Sequence, residues 1–279
     1  MPITDSPLRY PGGKSQLYPT IKKIIKNTIP GNCTYVEPFA GGAGLALKLL
    51  FRGDVSSLIL NDLDNAIFCF WDTCLHYSEE LCRMIISCEP SIDEWETQRS
   101  VFLNPSEHSN IEYAFATLFL NRCNVSGVIL GGPIGGKTQA GNYKINARYN
   151  PDELVRKIRK IHAYASKILF YHMDALDFIA NIVTELPITS SFINIDPPYV
   201  KKGPYLYRNS FTHEDHKELS QLILKLKQHW IVTYDECNLI RELYSKASIQ
   251  QIQLSYSAGL SKRGNELMIS NLGFSHAEV

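Results

Sequence analysis

The chain has 279 residues, of which 44% are hydrophobic and 20% charged, and its formal net charge of zero gives a balance typical of a soluble globular protein with one large domain or two small ones. No apolar run approaches the ~20 residues of a membrane span, and the N-terminus has no hydrophobic signal core, so the sequence predicts no membrane association. The seven cysteines are scattered without a C-x-x-C pair, which fits a reducing cytoplasm and predicts no metal site.

The charge is unevenly distributed along the chain. Residues 67–120 contain nine acids and two arginines, whereas residues 122–167 contain nine lysines and arginines and two acids. Charge segregated in this way indicates a surface directed at a polyanion, although a solvated basic helix at 156–160 explains part of the excess.

The first motif is a Pro-Gly-Gly turn followed by Lys14 and a predicted helix with isoleucines on one face. The paired glycines, which include Gly12, allow backbone to come close to a ligand. The motif is not a P-loop, because the G-x-x-x-x-G-K-[ST] spacing is absent.

A glycine-rich turn then joins a predicted strand, 33–36, to a predicted helix, 45–51. The turn reads Glu37-Pro38-Phe39-Ala40-Gly41-Gly42-Ala43-Gly44. The next predicted strand, 57–60, is followed by Asn61-Asp62, and an acid there can accept both hydroxyls of a ribose. The two features together indicate an adenosine-type cofactor, but they do not separate a methyltransferase from an oxidoreductase.

Residues 66–120 are predicted to be mostly helical. After them, six glycines fall between Gly127 and Gly141 with hydrogen-bonding side chains among them. This pattern predicts a long exposed hairpin over 121–148 that reads groove edges or phosphates, and the alternative is a surface loop without a partner.

The remaining elements return to α/β alternation and end in a predicted hairpin of 250–256 with 267–271. Asp174 follows a predicted strand, 168–173, and either accepts from the amino group of an adenine or caps the next helix. The succession of α/β units, helical insertion and α/β units predicts a parallel sheet with helices on both faces.

A short apolar strand, 192–195, ends at Asp196-Pro197-Pro198-Tyr199. Two prolines cannot continue a ladder, so the chain leaves the sheet at the edge where open α/β sheets bind ligands. The Asp196 carboxylate and the Pro197 carbonyl could accept the hydrogens of an aromatic amine and localise its lone pair, while the Tyr199 ring stacks on the base. The alternative is a turn after a core strand, with Asp196 capping or salt-bridged.

These motifs, in this order, resemble those of the Dam-type family of DNA adenine methyltransferases over nearly the whole chain. The resemblance implies a Rossmann-like doubly wound sheet of the S-adenosylmethionine methyltransferase type, and methyl transfer to the 6-amino group of an adenine flipped out of double-stranded DNA. It implies that the catalytic residues are Asp196, Pro197 and Tyr199. It implies contacts to S-adenosylmethionine at Tyr10, Gly12, Lys14, Glu37, Phe39, Gly41, Gly44, Asp62, Asp174 and Asp196.

The resemblance also implies a division into domains. Residues 1–66 and 151–279 form the catalytic domain, and 67–150 form a mainly helical target-recognition domain with the hairpin on DNA. The candidate DNA contacts are Arg122, Asn124, Ser126, Lys137, Lys144 and Arg148. Cys123 and Val125 stand where close relatives often carry aromatic residues, and no GATC-reading stretch follows Gly127, so the resemblance does not extend to GATC recognition.

Three other interpretations remain open at this point. The substrate could be the 4-amino group of cytosine, or RNA. The chain could be a silent DNA-binding module, although such a module has no use for Asp196, Tyr199, Lys14 and the glycine turn together. It could be a nucleotide-dependent oxidoreductase, against which the absence of G-x-G-x-x-G argues. A monomer is expected by default, and a partner restriction enzyme is left open.

Overall fold

The computed structural model describes residues 4–9, 14–200, 211–256 and 262–273. The chain divides into two compact units. The first, which we call the helical unit, comprises Met1–Gly12 and Asn65–Ser166. The second, which we call the sheet unit, comprises Gly13–Asp64 and Lys167–Val279.

The described part of the sheet unit contains a seven-stranded sheet in the order β3-β2-β1-β4-β5-β7-β6. Its strands are β1 (Thr34–Glu37), β2 (Ser57–Asn61), β3 (Ile168–Tyr171), β4 (Ser191–Ile195), β5 (His229–Asp235), β6 (Ser248–Tyr256) and β7 (Lys262–Ser270). The first five in this order are parallel, whereas β7 runs antiparallel to both of its neighbours. The predicted Rossmann-like α/β fold is confirmed, and the closing hairpin makes the sheet mixed rather than wholly parallel.

Helices connect these strands. They are a 3-10 turn at Lys14–Leu17, α1 (Tyr18–Thr28), α2 (Gly44–Phe51), and the helices Ala175–Asn181, His213–Ile223 and Asn238–Leu243. All five residues of β4 are buried, as expected for a strand covered on both faces. The core beneath the site includes Val36, Ile193, Trp230, Val232 and Leu267.

The sheet order places a switch point between β1 and β4, because the chain proceeds from β1 to β2 on one side and reaches β4 on the other. Ligands in open α/β sheets bind at the carboxyl ends of strands at such a point. Glu37 ends β1 and Asp196 directly follows β4, so both acids lie at this crevice.

The helical unit consists of five α-helices and short 3-10 turns within the described residues. The helices are α3 (Asn65–His76), α4 (Ser78–Ser87), α5 (Ile92–Leu103), α6 (Asn110–Cys123) and α7 (Pro151–Ala163). A capping box of Ser109 and Glu112 begins α6, whose residues from Tyr113 onward are buried against α3, α4 and α5. Because α7 packs on α3 and α4, the unit extends to Ser166 rather than ending at 150, where the sequence analysis placed the boundary.

The predicted hairpin over 121–148 is wrong. This fully described range holds 3-10 turns at Val125–Gly127 and Ile145–Arg148 and one isolated bridge, but no strand. Side chains replace the ladder: the Asn124 amide donates to the Val128 and Ile129 carbonyls at 3.0 and 2.7 Å. The Gln139 amide donates to the Ile134 carbonyl at 2.8 Å. Asn and Gln amides compete with regular pairing in this way, and the result is a folded loop.

No helix in the described ranges combines the length and the apolar character needed to cross a bilayer.

Candidate active site

The glycine turn after β1 is fixed to the end of β2 by Asp62. Gly41 has a left-handed φ of 46°, and its N–H donates to Asp62 Oδ2 at 2.8 Å. The other carboxylate oxygen accepts from the Asp64 N–H at 2.9 Å. Burial raises the pKa of Asp62 to about 6, against the lowering effect of these two bonds. The half-buried acid therefore lies beside the backbone of the glycine turn, and its contact with a ribose stays a prediction.

Asn61 holds the loops on either side of this turn. Its amide donates to the Pro38 and Met173 carbonyls, each at 3.1 Å, and its oxygen accepts from the Met173 N–H at 3.0 Å. The ring of Phe39, in the same turn, is half-exposed and lies edge-on to the ring of Phe211, with 5.8 Å between the two centroids. Gly44 begins α2.

Asp174 serves as a helix cap. It precedes the helix Ala175–Asn181, and its Oδ1 accepts from the Leu176 N–H at 2.8 Å. Of the two roles considered from sequence, the cap is the one the structure displays, and the adenine contact stays a prediction.

Asp196 is held through both carboxylate oxygens. Oδ2 lies 3.0 Å from the Lys14 ammonium, and Oδ1 accepts from the Thr233 hydroxyl at 2.7 Å. The Asp196 side chain is nevertheless 22% exposed, whereas the neighbouring Pro197 is buried. The carboxylate is therefore oriented from within the protein and remains within reach of a ligand.

Tyr199 is packed in the core, contrary to the prediction that its ring faces an open pocket. The residue is 6% exposed, and its ring lies 6.5 Å from that of Tyr234. The Lys14 ammonium donates to its phenol oxygen at 2.6 Å and lies 4.9 Å from the ring centroid. The physical reason is that core packing leaves the ring almost wholly buried while the Lys14 ammonium holds its hydroxyl, so the ring is not open to a base in this conformation.

Lys14 is thus the centre of a charge cluster, which we define as Lys14, Asp196, Tyr199 and Glu266. Glu266 lies on β7 with an exposed fraction of zero, and its Oε2 is 3.7 Å from the Lys14 ammonium. All four residues of this cluster lie within the sheet unit, and the arrangement places a buried cation between acids of opposite charge.

Glu37 lies beside this cluster rather than on an open surface. It is buried, and the Tyr35 hydroxyl donates to its Oε1 at 2.9 Å. Burial raises the pKa of Glu37 to about 8, and the nearby Asp196 charge adds to the rise while Lys14 opposes it. These contacts place Glu37 in the interior of the protein, and they do not show the cofactor contact that was predicted for it.

Sequence reasoning missed three residues that support the site. They are Thr233, Asp235 and Glu266. The Asp235 carboxylate accepts from the Val200 N–H at 3.0 Å and so fixes the chain just after Tyr199. Thr233 and Asp235 belong to the carboxyl end of β5, and that position was a usable signal.

The described residues contain no group of three or more His, Cys, Asp or Glu side chains arranged to hold a metal ion. Tyr10 and Gly12, two predicted cofactor contacts, lie outside the described residues.

The predicted DNA contacts of the helical unit fall into two groups. Arg122 and Asn124 are buried and serve the loop itself, which corrects their assignment as DNA contacts. The Arg122 guanidinium donates to the Arg148 carbonyl at 2.7 Å and to the Pro7 carbonyl at 3.3 Å, and burial lowers its pKa to about 10. The Asn124 oxygen accepts from the Trp95 indole at 2.6 Å.

The second group stays near the surface. Lys137 and Lys144 are exposed, and Arg148 and Ser126 are half-buried. Lys137 pairs with Glu96 at 3.0 Å, and Arg148 lies 5.7 Å from the centroid of the Tyr143 ring. Lys137 also borders an open groove of about 640 Å³ between α5 and the loop that follows α6, with Arg99 of α5 on the other side.

Residues 10–258 match the family described as D12 class N6 adenine-specific DNA methyltransferase. The chain belongs to this family. DNA adenine methylation is therefore its reaction, and DNA its substrate. The D12 class match includes Lys14, the glycine turn, Asp62 and the tetrapeptide from Asp196 to Tyr199. Glu266 lies beyond its end.

This D12 class chain is similar to a curated relative in sequence and to solved structures in fold. Type II methyltransferase M.MjaIII of Methanocaldococcus jannaschii is 24% identical over 230 residues, which cover 78% of this chain and 76% of the relative. The rRNA methyltransferase aviRa from Streptomyces viridochromogenes has a TM-score of 0.42 at 14% identity, with 94% of this chain and 86% of the other covered. TrmK of M. capricolum in complex with S-adenosyl-homocysteine has a TM-score of 0.39 at 8% identity, covering 92% and 70%. The family assignment does not depend on these structural likenesses.

Proposed function

We propose that the chain methylates adenine with S-adenosylmethionine as the donor, and that Asp196 receives the 6-amino group of an adenine extruded from double-stranded DNA. The observation that carries this proposal is the position of Asp196 at the carboxyl end of β4, where Lys14 and Thr233 hold its two oxygens and 22% of the side chain remains exposed.

The donor suits the turn after β1. A sulfonium nucleoside carries ribose hydroxyls and no phosphate, and among the described residues the turn offers the Asp62 carboxylate as an acceptor for hydroxyls. Asp62 would bind the ribose, Phe39 would contact the adenine ring, and Gly41 and Gly44 would admit the cofactor close to the backbone. When bound, the cofactor supplies a methyl group on a positively charged sulfur.

Asp196 acts on the acceptor. An exocyclic amine on an aromatic base is a weak nucleophile because its lone pair is delocalised into the ring. By accepting one amine hydrogen, the Asp196 carboxylate localises that lone pair, and the Pro197 carbonyl is proposed to accept the other. As the nitrogen forms its bond to the methyl carbon, the bond from that carbon to sulfur would break and the sulfur would leave as a neutral thioether. The nitrogen, now cationic, would release a proton along the hydrogen bond to Asp196. Positioning accounts for most of the acceleration.

The target base must leave the duplex, which costs a few kcal/mol. Tyr199 can stack on this base only if its ring leaves the packing described above, so we assign it first to the support of Lys14 and Asp196. On the helical unit, Lys137, Lys144 and Arg148 are proposed to contact the DNA backbone, because cations near the surface displace the counterions of phosphates. Ser126 joins them as a neutral candidate.

The test compares Asp196→Ala with the parent enzyme in transfer of labelled methyl groups to duplex DNA, followed by mass analysis of the nucleosides. The expected result is N6-methyladenine from the parent and less than a few percent of that rate from the variant, with unchanged circular dichroism. Asp177→Ala removes an exposed acid from the same unit and should leave the rate unchanged. Substantial methylation by folded Asp196→Ala would refute the assignment of Asp196, and N4-methylcytosine would refute the assignment of the base.

A further inference from the structure

Glu266 is a buried acid that lies beside the Lys14 ammonium, the cation that also contacts Asp196. It has an exposed fraction of zero, and its Oε2 lies 3.7 Å from the Lys14 ammonium, which in turn lies 3.0 Å from Asp196 Oδ2. It therefore shares one cation with the residue that receives the substrate amine.

We propose that Glu266 is a positioning residue for methyl transfer, because its negative charge offsets part of the Lys14 charge at Asp196 and keeps that carboxylate a strong acceptor. The inference rests on the proposed role of Asp196. It goes beyond the family match, which ends before Glu266.

The electrostatic potential at Asp196 is the sum of the contributions from its charged neighbours. The Lys14 ammonium makes that potential positive, the Glu266 carboxylate offsets part of it, and both effects are strong because buried charges are poorly screened. Replacing Glu266 by the isosteric amide removes the offset, so the potential at Asp196 becomes more positive. The Asp196 carboxylate is then a weaker acceptor for the amine hydrogen, and the transition state loses stabilisation.

The fold places Glu266 there through strand register. Glu266 is the register partner of Asp235 on β5, two residues beyond Thr233, whose hydroxyl donates to the other oxygen of Asp196. The neighbouring strands β5 and β7 therefore supply two groups near Asp196. Thr233 of β5 donates to Oδ1, and Glu266 of β7 lies beside the Lys14 ammonium that contacts Oδ2.

The first experiment measures kcat and KM for Glu266→Gln and Glu266→Asp in the full chain. Because Glu266 is wholly buried, neither DNA nor the donor reaches it. Glu266→Gln should therefore lower kcat at least about tenfold per folded molecule while both KM values change little. Glu266→Asp retains the charge and should recover most of kcat. Met268→Leu, a volume-conserving change at another buried position of β7, should match the parent.

A second experiment needs no activity and covers variants that fold poorly. Lys14→Gln, Glu266→Gln and the double variant are compared with the parent by urea unfolding. Because each single change leaves a buried charge without its partner in this pair, the double variant should be more stable than the sum of the two single losses predicts.

The outcomes separate the two assignments. If Asp196→Ala is inactive but Glu266→Gln keeps the parental kcat, or if the stability losses of the two singles simply add, the inference fails and the proposed function stands. If folded Asp196→Ala remains active, the proposed function fails first.

Discussion

The ammonium of Lys14 donates to the phenol oxygen of Tyr199 at 2.6 Å across 185 residues of sequence. The same nitrogen lies 4.9 Å from the centroid of the ring. This relationship joins the first turn of the sheet unit to the end of the Asp-Pro-Pro-Tyr tetrapeptide, and it separates what the hydroxyl of Tyr199 does from what its ring does.

Tyr199→Phe should keep the fold and much of the activity, because the ring still fills its place and Lys14 retains the Asp196 and Glu266 carboxylates. Tyr199→Ala should destabilise the protein by about 3 kcal/mol through the cavity it leaves, and should lose most activity. Urea unfolding and methyl-transfer rates measured on both variants check this. Equal loss in the two would mean that the hydroxyl, rather than the ring, is the important part.

Thr233→Val should lower kcat by about tenfold, because the methyl group preserves the shape of the side chain while the hydrogen bond to Asp196 Oδ1 is lost. The Asp196 carboxylate, then held by Lys14 without Thr233, samples orientations that do not receive the amine. Thr73→Val is a matched control in the helical unit, where the buried hydroxyl makes no hydrogen bond to the described part of the chain. Single-turnover kinetics measures both, and an unaltered rate for Thr233→Val contradicts the orienting role.

The proposed cofactor site should depend on pH through Asp62. Its carboxylate accepts ribose hydroxyls best when ionised, and its pKa of about 6 means that it gains a proton as the pH falls through 6. We expect calorimetric affinity for S-adenosylmethionine to be full at pH 8 and to fall several-fold by pH 5. Asp62→Asn should bind more weakly at pH 8 and show little change with pH. A parent affinity that is flat from pH 8 to 5 contradicts the prediction.

Glu37 should make folding stability depend on pH in the opposite sense to that of an ordinary paired acid. Its folded-state pKa of about 8 exceeds the model-compound value of 4.5, so the folded protein retains a proton that the unfolded chain releases. Stability is therefore highest below pH 4.5 for this group and declines as the pH rises through 8, by on the order of a few kcal/mol. Glu37→Gln cannot ionise and should reduce that decline. Urea unfolding at pH 5, 6.5 and 8 tests it, and parallel curves for the two proteins would count against it.

Replacing Lys137, Lys144 and Arg148 together by glutamine should weaken DNA binding and reduce the slope of log K against log salt, by up to about 0.9 for each lost phosphate contact. The matched control replaces three exposed lysines of the sheet unit, Lys26, Lys225 and Lys227. Fluorescence anisotropy from 50 to 300 mM salt measures both. The surface assignment fails if the two triple variants have the same slope.

Local sequence was sufficient for the residues that sit next to strong motifs. Asp196 and Asp62 follow short apolar runs, so their positions at the carboxyl ends of strands could be predicted without a sheet order. Glu266 could not be placed in this way, because its approach to Lys14 depends on the position of β7 between β5 and β6. No local sequence pattern predicts that strand order. The hairpin prediction failed for the reverse reason: the glycines and amides of residues 121–148 suit a tight turn in any loop, and Asn124 uses its side chain where a strand would use its backbone.

The order of synthesis gives the position of β7 a consequence for the cell. A ribosome makes Lys14 early and Glu266 late, and the charge cluster is closed only after β7 has left the exit tunnel and entered the sheet beside β5. Incomplete polypeptides that lack β7 therefore lack the full set of charges around Asp196.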